Sequence, residues 1–329
     1  MLTKTLNIIL FLFFLLPVGV KAEVKYELFV AHDGSGDFTS IQEAIDATKA
    51  FPDKRITIHI KNGIYREKVR VYSWNTLLTL KGESVEGTII TYDDYFNKIN
   101  KGRNSTFHTY TLKVEANDFI AENLTIINSA GPVGQAIALH VEGDRCEFRN
   151  CRISGHQDTL YVAGEGSRQY FKNCYIEGTT DFIFGEATAL IQNCEIHSKS
   201  NSYITAASTP ENVPYGLVFL NCKLTADIDI DKVYLGRPWR DYANVVFTNC
   251  EMDAHIAPER WANWSKTNRD QTAFYAEYNN SGPGADLSQK AEWAIILTDK
   301  QAESYTVENI FKASNKTKNG MGDWIPSVN

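Results

Sequence analysis

Short apolar runs separated by polar bends recur along most of the chain. Around each bend the apolar positions alternate with polar ones, which is the period-two pattern of β-strands. A tetrad of Asn, then Cys or Leu, then any residue, then an aliphatic residue or Met occurs six times, beginning at Asn123, Asn150, Asn173, Asn193, Asn221 and Asn249. The steps between tetrads are 27, 23, 20, 28 and 28 residues. A fixed motif with elastic spacing predicts a solenoid whose inserted residues form loops.

The composition of the units selects one kind of solenoid. Helical repeats need about 33 residues or more and a 3.6-residue apolar period, and leucine-rich repeats need several leucines per unit. The tetrads instead predict an all-β, right-handed parallel β-helix. Asn suits the bend because it tolerates a left-handed backbone and its amide can bond to the next coil. The residue after each Asn is expected to point inward in one column: Leu124, Cys151, Cys174, Cys194, Cys222 and Cys250.

This inward column accounts for five of the six cysteines. Free Cys packs as a small hydrophobic residue, and an interior stack does not offer the tetrahedral arrangement that zinc needs. The chain is expected to be exported, so a disulfide between stacked neighbours is equally open. Cys174 and Cys194, only 20 residues apart, are the pair expected if one forms.

The first 22 residues are predicted to be a secretory signal peptide. Lys4 precedes the apolar run Ile8–Leu16, and a small-residue cleavage site ends at Ala22. The run is too short to span a membrane, and no later segment approaches the ~18 apolar residues that a membrane helix needs. The mature chain, residues 23–329, is therefore expected to be secreted or periplasmic and not membrane-bound.

A helix is predicted over Thr39–Ala50, before the first coils. Ser40 and Glu43 can form a capping box. A solenoid needs its open end covered, and this helix is the candidate cap. Its apolar face would consist of Ile41, Ala44 and Ile45.

The repeat fades after Cys250 into the aromatic, Asn- and Gly-rich stretch Trp261–Gly284. We expect this stretch and the tail to Trp324 to pack along the outside of the coils. No linker separates a second domain, so residues 23–329 are predicted to form a single β-helix domain.

The charge balance excludes one class of partner. The whole chain has a net charge of −7, and removal of the two leader lysines leaves 31 basic against 40 acidic residues, a net charge of −9. A basic footprint for nucleic acid is absent. The acidity also disfavours long-range attraction to a fully charged polyanion, but it is compatible with a polymer whose carboxylates are masked.

Two aspartates share one register on consecutive coils. Asp158 lies seven residues after Cys151, and Asp181 lies seven residues after Cys174. Parallel strands are ~4.8 Å apart, so the two side chains should be stacked neighbours. Two like charges that close push their pKa values apart, which divides them into an acid and a base or nucleophile. A polar ladder or a Ca²⁺ site would also pair carboxylates in this way.

Five sequence blocks resemble the signature blocks of pectin methylesterases, in the order in which that family has them. The similarity extends from about Val30 to Trp324 and is identified as that of a bacterial-type secreted member. It implies hydrolysis of the C6 methyl esters of homogalacturonan (pectin) to pectate and methanol. The blocks are Gly63–Glu67, Gln135–Leu139, Gly155–Leu160, Asp181–Gly185 and Leu235–Trp239.

The resemblance implies a role for each catalytic position. Asp181 matches the nucleophile that attacks the ester carbonyl. Asp158 matches the general acid that protonates departing methanol and then acts as base on the hydrolytic water. Gln157 and Gln135 match the donors to the anionic tetrahedral intermediate, and Arg237 matches the partner of the nucleophile.

The resemblance also implies the substrate contacts. Thr111, Phe184 and Trp239 are expected to contact the polysaccharide, together with Gln135 and Arg237. His156 stands where many relatives have an aromatic residue, which suggests a structural or substrate-stacking role. No cofactor and no metal is expected, the partner is methylated homogalacturonan, and the protein is expected to be a monomer.

Rival functions lack their own signatures. A pectate lyase should show clustered aspartates for Ca²⁺ with an isolated Arg or Lys base, and a polygalacturonase several aspartates in one segment near a Gly-His-Gly. Neither pattern occurs, nor does a Gly-x-Ser-x-Gly elbow or a His-Glu-x-x-His helix. A non-enzymatic carbohydrate-binding β-helix would lose one of the catalytic side chains, and all are present.

Overall fold

The chain folds into stacked coils. The computed structural model describes residues 24–312 and 322–326, so the predicted signal peptide and its cleavage site lie outside the described residues. Three parallel sheets, A, B and C, receive strands in the repeating order A, B, C, and each coil adds one strand to each sheet. This is the predicted right-handed parallel β-helix.

The strands are numbered in chain order, and the counts cover the described residues only. Sheet A has eleven strands: β1 Glu27–Val30, β2 Ile56–Ile60, β5 Leu78–Gly82, β8 Ile120–Glu122, β11 Cys146–Arg149, β14 Arg168–Lys172, β17 Thr188–Gln192, β20 Leu217–Leu220, β23 Asn244–Thr248, β25 Phe274–Tyr278 and β26 Ile295–Ile296. Sheet B has eight: β3 Gly63–Tyr65, β6 Thr88–Tyr92, β9 Thr125–Asn128, β12 Arg152–Ser154, β15 Tyr175–Gly178, β18 Glu195–Ser198, β21 Lys223–Ala226 and β24 Glu251–Met252. Sheet C has seven: β4 Val69–Val71, β7 Leu112–Val114, β10 Leu139–Val141, β13 Leu160–Val162, β16 Ile183–Gly185, β19 Tyr203–Ala207 and β22 Tyr234–Gly236.

The six tetrad asparagines form the bends between sheets A and B, as predicted. Each has a left-handed backbone, with φ between 48° and 55°. Asn is one of the few residues that adopts this conformation at low cost. The Nδ2 of Asn150 donates to the Oδ1 of Asn123 on the preceding coil at 2.7 Å. The residue after each Asn points inward and is buried, so the predicted column is confirmed.

All six cysteines are free thiols. Parallel, in-register strands hold equivalent side chains side by side at about the 4.8 Å strand spacing, whereas a disulfide needs Cβ atoms about 3.5–4.5 Å apart. The thiols donate instead to backbone carbonyls, as from Cys174 Sγ to the oxygen of Phe148 at 3.4 Å. Of the two alternatives left open for Cys174 and Cys194, the structure has the unbridged one.

The predicted cap is present as a shorter helix, α1 Ile41–Asp46. Ser40 Oγ accepts a hydrogen bond from the backbone N–H of Glu43 at 3.3 Å, as in half of a capping box. The other part comes from Glu67, whose carboxylate accepts from Ser40 Oγ and from two N–H groups of the first turn. A distant carboxylate thus satisfies the helix N-terminus. The helix buries its predicted apolar face in the main core: Ile41, Ala44 and Ile45.

The stretch after Cys250 departs from the prediction. It does not lie wholly outside the coils, because β25 and β26 extend sheet A. Trp261 and Tyr275 are buried in the main core. Asn279 continues the ladder, since its Nδ2 donates to Asn249 Oδ1 at 2.8 Å. The β-helix therefore continues past the last tetrad without the Cys or Leu that marks the earlier coils.

The tail packs on the outer face of sheet A, as predicted. Helix α4 Val307–Ile310 leads into Phe311, which is fully buried and stacks against Trp324 with ring centroids 4.6 Å apart. The guanidinium of Arg168, buried beside Asp144, donates to the carbonyl oxygen of Phe311 at 3.0 Å. The remaining short helices are α2 Phe96–Ile99, α3 Asp299–Ala302 and the 3₁₀ turns Gly102–His108, Arg269–Gln271 and Pro283–Ala285. None of the helices in the described part of the chain is long and apolar enough to cross a membrane.

Candidate active site

Asp158 and Asp181 occupy equivalent bends on adjacent coils. Strands β13 and β16 pair with Leu160 opposite Ile183, which places the two aspartates in the same register. Both have a left-handed backbone, with φ of 64° and 49°. Asp is enriched in this conformation, and the bend is where the chain passes from sheet B to sheet C. The register inferred from the cysteines is confirmed, although the bend itself was not foreseen.

Arg237 holds the carboxylate of Asp181 from a coil two steps further along. Its Nε donates to Oδ1 at 3.0 Å and its Nη2 to Oδ2 at 2.7 Å. The guanidinium lies between the rings of Tyr203 and Trp264, 4.1 and 4.3 Å from their centroids. A planar fork clamped between two rings fixes both the charge and the orientation of the carboxylate.

The two carboxyl groups differ in their electrostatic surroundings. Burial first, and the charge of Asp181 second, raise the pKa of Asp158 well above its ordinary value, while Arg237 opposes the rise. Burial also raises the pKa of Asp181, but its hydrogen bonds with Arg237 oppose this directly. Asp158 is therefore the group that holds a proton to higher pH. The sequence argument rested on like-charge repulsion and a low pKa for Asp181; removal of water is the larger cause, and it acts on both groups.

Gln135 and Gln157 lie side by side on neighbouring coils. They form an isolated parallel bridge, and the backbone N–H of Ala136 donates to the carbonyl of Gln157 at 3.1 Å. Both side chains line the same cavity as the two aspartates. Two amide groups beside a carboxylate nucleophile can donate hydrogen bonds to an anionic oxygen that forms near them.

The cavity is a groove of about 560 Å³ on the outer side of sheet C. A row of aromatic rings follows it, with centroid separations of 5.3 Å from Phe107 to Tyr161, 4.6 Å from Tyr161 to Phe184 and 5.9 Å from Phe184 to Trp239. An aromatic row offers apolar faces to the flat sides of sugar rings. The groove is lined by Arg103, Thr106, Phe107, Gln135, Gln157, Asp158, Asp181, Phe184, Ala206, Arg237, Trp239, Arg240 and Trp264.

Thr111 does not lie in this groove. Its side chain is fully buried, and its Oγ1 donates to the backbone oxygen of Ile127 at 2.9 Å, so it cannot contact a polysaccharide. Thr106, in the 3₁₀ segment Gly102–His108, is the threonine that lines the groove. Sequence reasoning missed Thr106 because this segment is an insertion outside the repeat.

His156 also lies outside the groove lining. Its ring is half-buried, and burial lowers its pKa. Its backbone carbonyl accepts hydrogen bonds from the N–H of Thr179 and the Oγ1 of Thr159 at the bend. The structure therefore favours the structural role over substrate stacking. Among the described residues, no group of three or more His, Cys, Asp or Glu side chains is arranged to hold a metal ion.

Comparisons with known proteins agree with this geometry. A family model described as Pectinesterase matches residues 27–314. Pectinesterase 31 of Arabidopsis thaliana is 42% identical over 281 residues, which cover 83% of this chain and 88% of that protein. The solved structure of a pectin methylesterase from carrot has a TM-score of 0.81 and 33% identity, and covers 88% of this chain and 94% of its own.

A second solved structure is a pectin methylesterase mutant in complex with a hexasaccharide. It has a TM-score of 0.76 and 31% identity, and covers 93% of this chain and 100% of its own. The chain also matches longer plant proteins, of whose length it spans about half, 55% and 54% in two of them. Since the relatives with curated names are plant proteins, these matches do not confirm a bacterial type.

Proposed function

Because the chain belongs to the pectinesterase family, a family of carboxylic ester hydrolases, we propose that it hydrolyses the C6 methyl esters of homogalacturonan. The products would be methanol and a galacturonate carboxylate. The observation that carries the proposal is the pair of Asp181, held by Arg237, and Asp158, with its raised pKa, in one aromatic-lined groove.

The first half-reaction would form an acyl-enzyme. An oxygen of the Asp181 carboxylate attacks the ester carbonyl carbon, and the carbonyl oxygen becomes an oxyanion that accepts hydrogen bonds from Gln135 and Gln157. The intermediate collapses with cleavage of the bond to the methoxy oxygen. Asp158 gives its proton to that oxygen, so the leaving group departs as methanol.

The second half-reaction would restore the enzyme. Asp158, now ionised, takes a proton from a water molecule whose oxygen attacks the substrate carbonyl carbon of the mixed anhydride. The bond to Asp181 breaks, and Asp181 regains its carboxylate beside Arg237. Each turnover thus consumes one water and leaves Asp158 protonated for the next ester.

Arg237 would keep Asp181 a carboxylate in spite of its burial. A protonated Asp181 could not attack, and burial alone favours the protonated form. The bidentate hydrogen bonds also aim the carboxylate and return it to the same position after each turnover. Phe184 and Trp239 would carry the sugar rings along the groove, as would the remaining aromatic residues of its floor.

The substrate is assigned by chemistry and by relatives. A solved pectin methylesterase that matches 93% of this chain is in complex with a hexasaccharide, which supports a pectic oligosaccharide as occupant of the groove. The proposal includes export of the chain with cleavage after Ala22 and action as a monomer, without a cofactor or metal.

Methanol release and chain cleavage, measured on the same methylated pectin, test this function. The proposal expects methanol with no fall in chain length and no new unsaturated ends, with or without a chelator. Chain cleavage would favour a polygalacturonase, and unsaturated ends with loss of activity on chelation would favour a Ca²⁺-dependent lyase. N-terminal sequencing of exported protein tests cleavage after Ala22.

A further inference from the structure

The two ends of the groove differ in charge. At one end lies Arg103, in the 3₁₀ segment Gly102–His108. Its side chain is exposed, and among the described residues it makes no ion pair. Its guanidinium therefore presents an uncompensated positive charge to anything in the groove. The segment is anchored beside the catalytic coils, since the Oγ1 of Thr109 accepts from the backbone N–H of Ile137 at 2.9 Å.

At the other end a second cavity of about 470 Å³ opens beyond Trp239. Trp239 and Arg240 line both cavities, so the second one continues the groove. Its walls carry three carboxylates, those of Glu165, Glu186 and Asp241. Asp241 is paired with Arg269 at 3.1 Å, whereas Glu165 is exposed and has no ion pair within the described part of the chain.

Glu186 is anchored so that it cannot turn away from this cavity. Its Oε1 accepts from the backbone N–H of Gly164 at 2.7 Å and its Oε2 from the hydroxyl of Tyr161 at 3.3 Å. Tyr161 belongs to the aromatic row that floors the catalytic groove. One side of the catalytic centre is therefore basic and the other acidic along the path of a bound polymer.

The substrate and product of ester hydrolysis differ in the property that this asymmetry detects. A methyl-esterified unit is uncharged, whereas a demethylated unit carries a carboxylate. A carboxylate is stabilised near an unpaired guanidinium, and it is repelled near fixed carboxylates. The neutral ester feels neither effect strongly, so the two ends discriminate between the two kinds of unit.

We propose that the cavity beyond Trp239 is a subsite for a methyl-esterified galacturonate unit and that Arg103 marks a subsite for a free galacturonate carboxylate. The inference rests on the proposed function and deepens it. The enzyme would then work at the border of an already demethylated tract. After each turnover the new carboxylate is drawn towards Arg103, and the next ester reaches Asp181, so demethylation proceeds in runs.

Two charge-neutralising variants with matched controls test this. Arg103→Gln removes the basic end, and Lys223→Gln removes the same charge from the exposed outer face of sheet B. Glu165→Gln weakens the acidic end, and Glu251→Gln is its control on the same outer face. None of the four residues belongs to the catalytic machinery. Circular dichroism establishes that each variant is folded.

The measurements are the length of consecutive demethylated runs in pectin at equal methanol release and the Kd for an unesterified oligogalacturonate. The wild type is expected to produce runs. Arg103→Gln should shorten them and weaken the oligogalacturonate Kd about three- to tenfold, as expected for a partly exposed ion pair. Glu165→Gln should tighten that Kd about twofold. The KM for a fully esterified oligomer should change less than about twofold in Arg103→Gln, and both controls should match the wild type.

Random demethylation by the wild type, or an Arg103→Gln variant with unchanged run length and Kd, would overturn the inference. These results leave the proposed function standing, because methanol is still released. Failure of the wild type to release methanol from any methylated pectin would instead overturn the proposed function.

Discussion

Arg237 donates two hydrogen bonds, of 2.7 and 3.0 Å, to the two carboxylate oxygens of Asp181, which lies 56 residues earlier in the chain. The contact joins coils two steps apart and sets the charge state of the proposed nucleophile. A compact ammonium group could supply the charge but not the planar fork or the stacking between Tyr203 and Trp264.

Arg237→Lys is therefore expected to lower kcat at least about tenfold, because geometry is lost although charge is kept. Methanol release on saturating pectin measures this. Arg152→Lys is the matched control, since Arg152 also lies over a tyrosine ring, at 4.4 Å from the centroid of Tyr175, but on sheet B. Retention of more than half of the rate in Arg237→Lys would mean that Arg237 only balances charge.

Replacement of either catalytic aspartate should remove the reaction. Asp181→Asn loses the nucleophile and Asp158→Asn loses the proton donor, so each is expected to lower kcat at least about 10³-fold. Asp229→Asn, on an exposed loop, should keep the wild-type rate. Near-wild-type methanol release from either catalytic variant, purified free of other esterases, would refute the assigned roles.

Thr106 and Thr111 should separate binding from stability. Thr106→Val is expected to raise the KM for pectin with little change in the free energy of unfolding, because Thr106 lines the groove. Thr111→Val should leave the KM unchanged and destabilise the fold by about 1 kcal/mol, because the buried hydrogen bond to Ile127 is lost. Steady-state kinetics and denaturant unfolding of both variants decide this, and the reverse pattern would restore Thr111 as the substrate contact.

Asp158 should cost stability at neutral pH. Its folded-state pKa lies above the ordinary value of 3.8, so the folded state binds more protons than the unfolded state between these two pKa values. Stability must therefore fall as pH rises through this window and stay low above it. Asp158→Asn, which remains neutral, should melt a few degrees higher than the wild type near pH 7.

The gain should shrink as pH approaches 4 and disappear below it, because the wild-type carboxyl is then protonated in both states. Thermal unfolding of both proteins from pH 3.5 to 8 measures this difference. An Asp158→Asn variant that is less stable than the wild type at neutral pH would show that the carboxylate is stabilised in the fold, against the proposed acid role.

The repeat made much of the fold and of the site predictable. Asn and the inward residue recur because each coil needs the same bend and the same core position, so the register of Asp158 and Asp181 follows from Cys151 and Cys174. The role of Glu67 at the helix cap was not predictable, since its partner Ser40 lies 27 residues away in a different element.

The features that sequence reasoning missed lie where the repeat gives no ruler. Thr106 reaches the groove through an inserted segment whose packing depends on tertiary contacts. The coil at Asn279 has Asn280 where earlier coils have Cys or Leu, and the Oδ1 of Asn280 accepts from the backbone N–H of Cys250 at 2.9 Å. The pKa of Asp158 depends mainly on burial, and register along a strand does not reveal how much water a fold removes.

The central claim is that Asp158 carries a proton at the pH at which Asp181 is ionised. Site-resolved carboxyl NMR titration of the wild type tests it most directly, with Asp158→Asn and Asp181→Asn used to assign the two signals. The account predicts that Asp158 titrates at higher pH than Asp181. It also predicts that in Asp181→Asn the pKa of Asp158 falls but stays above 3.8, because burial outweighs the charge of Asp181. Titration of Asp181 above Asp158, or ionisation of both groups throughout the active pH range, would contradict the account.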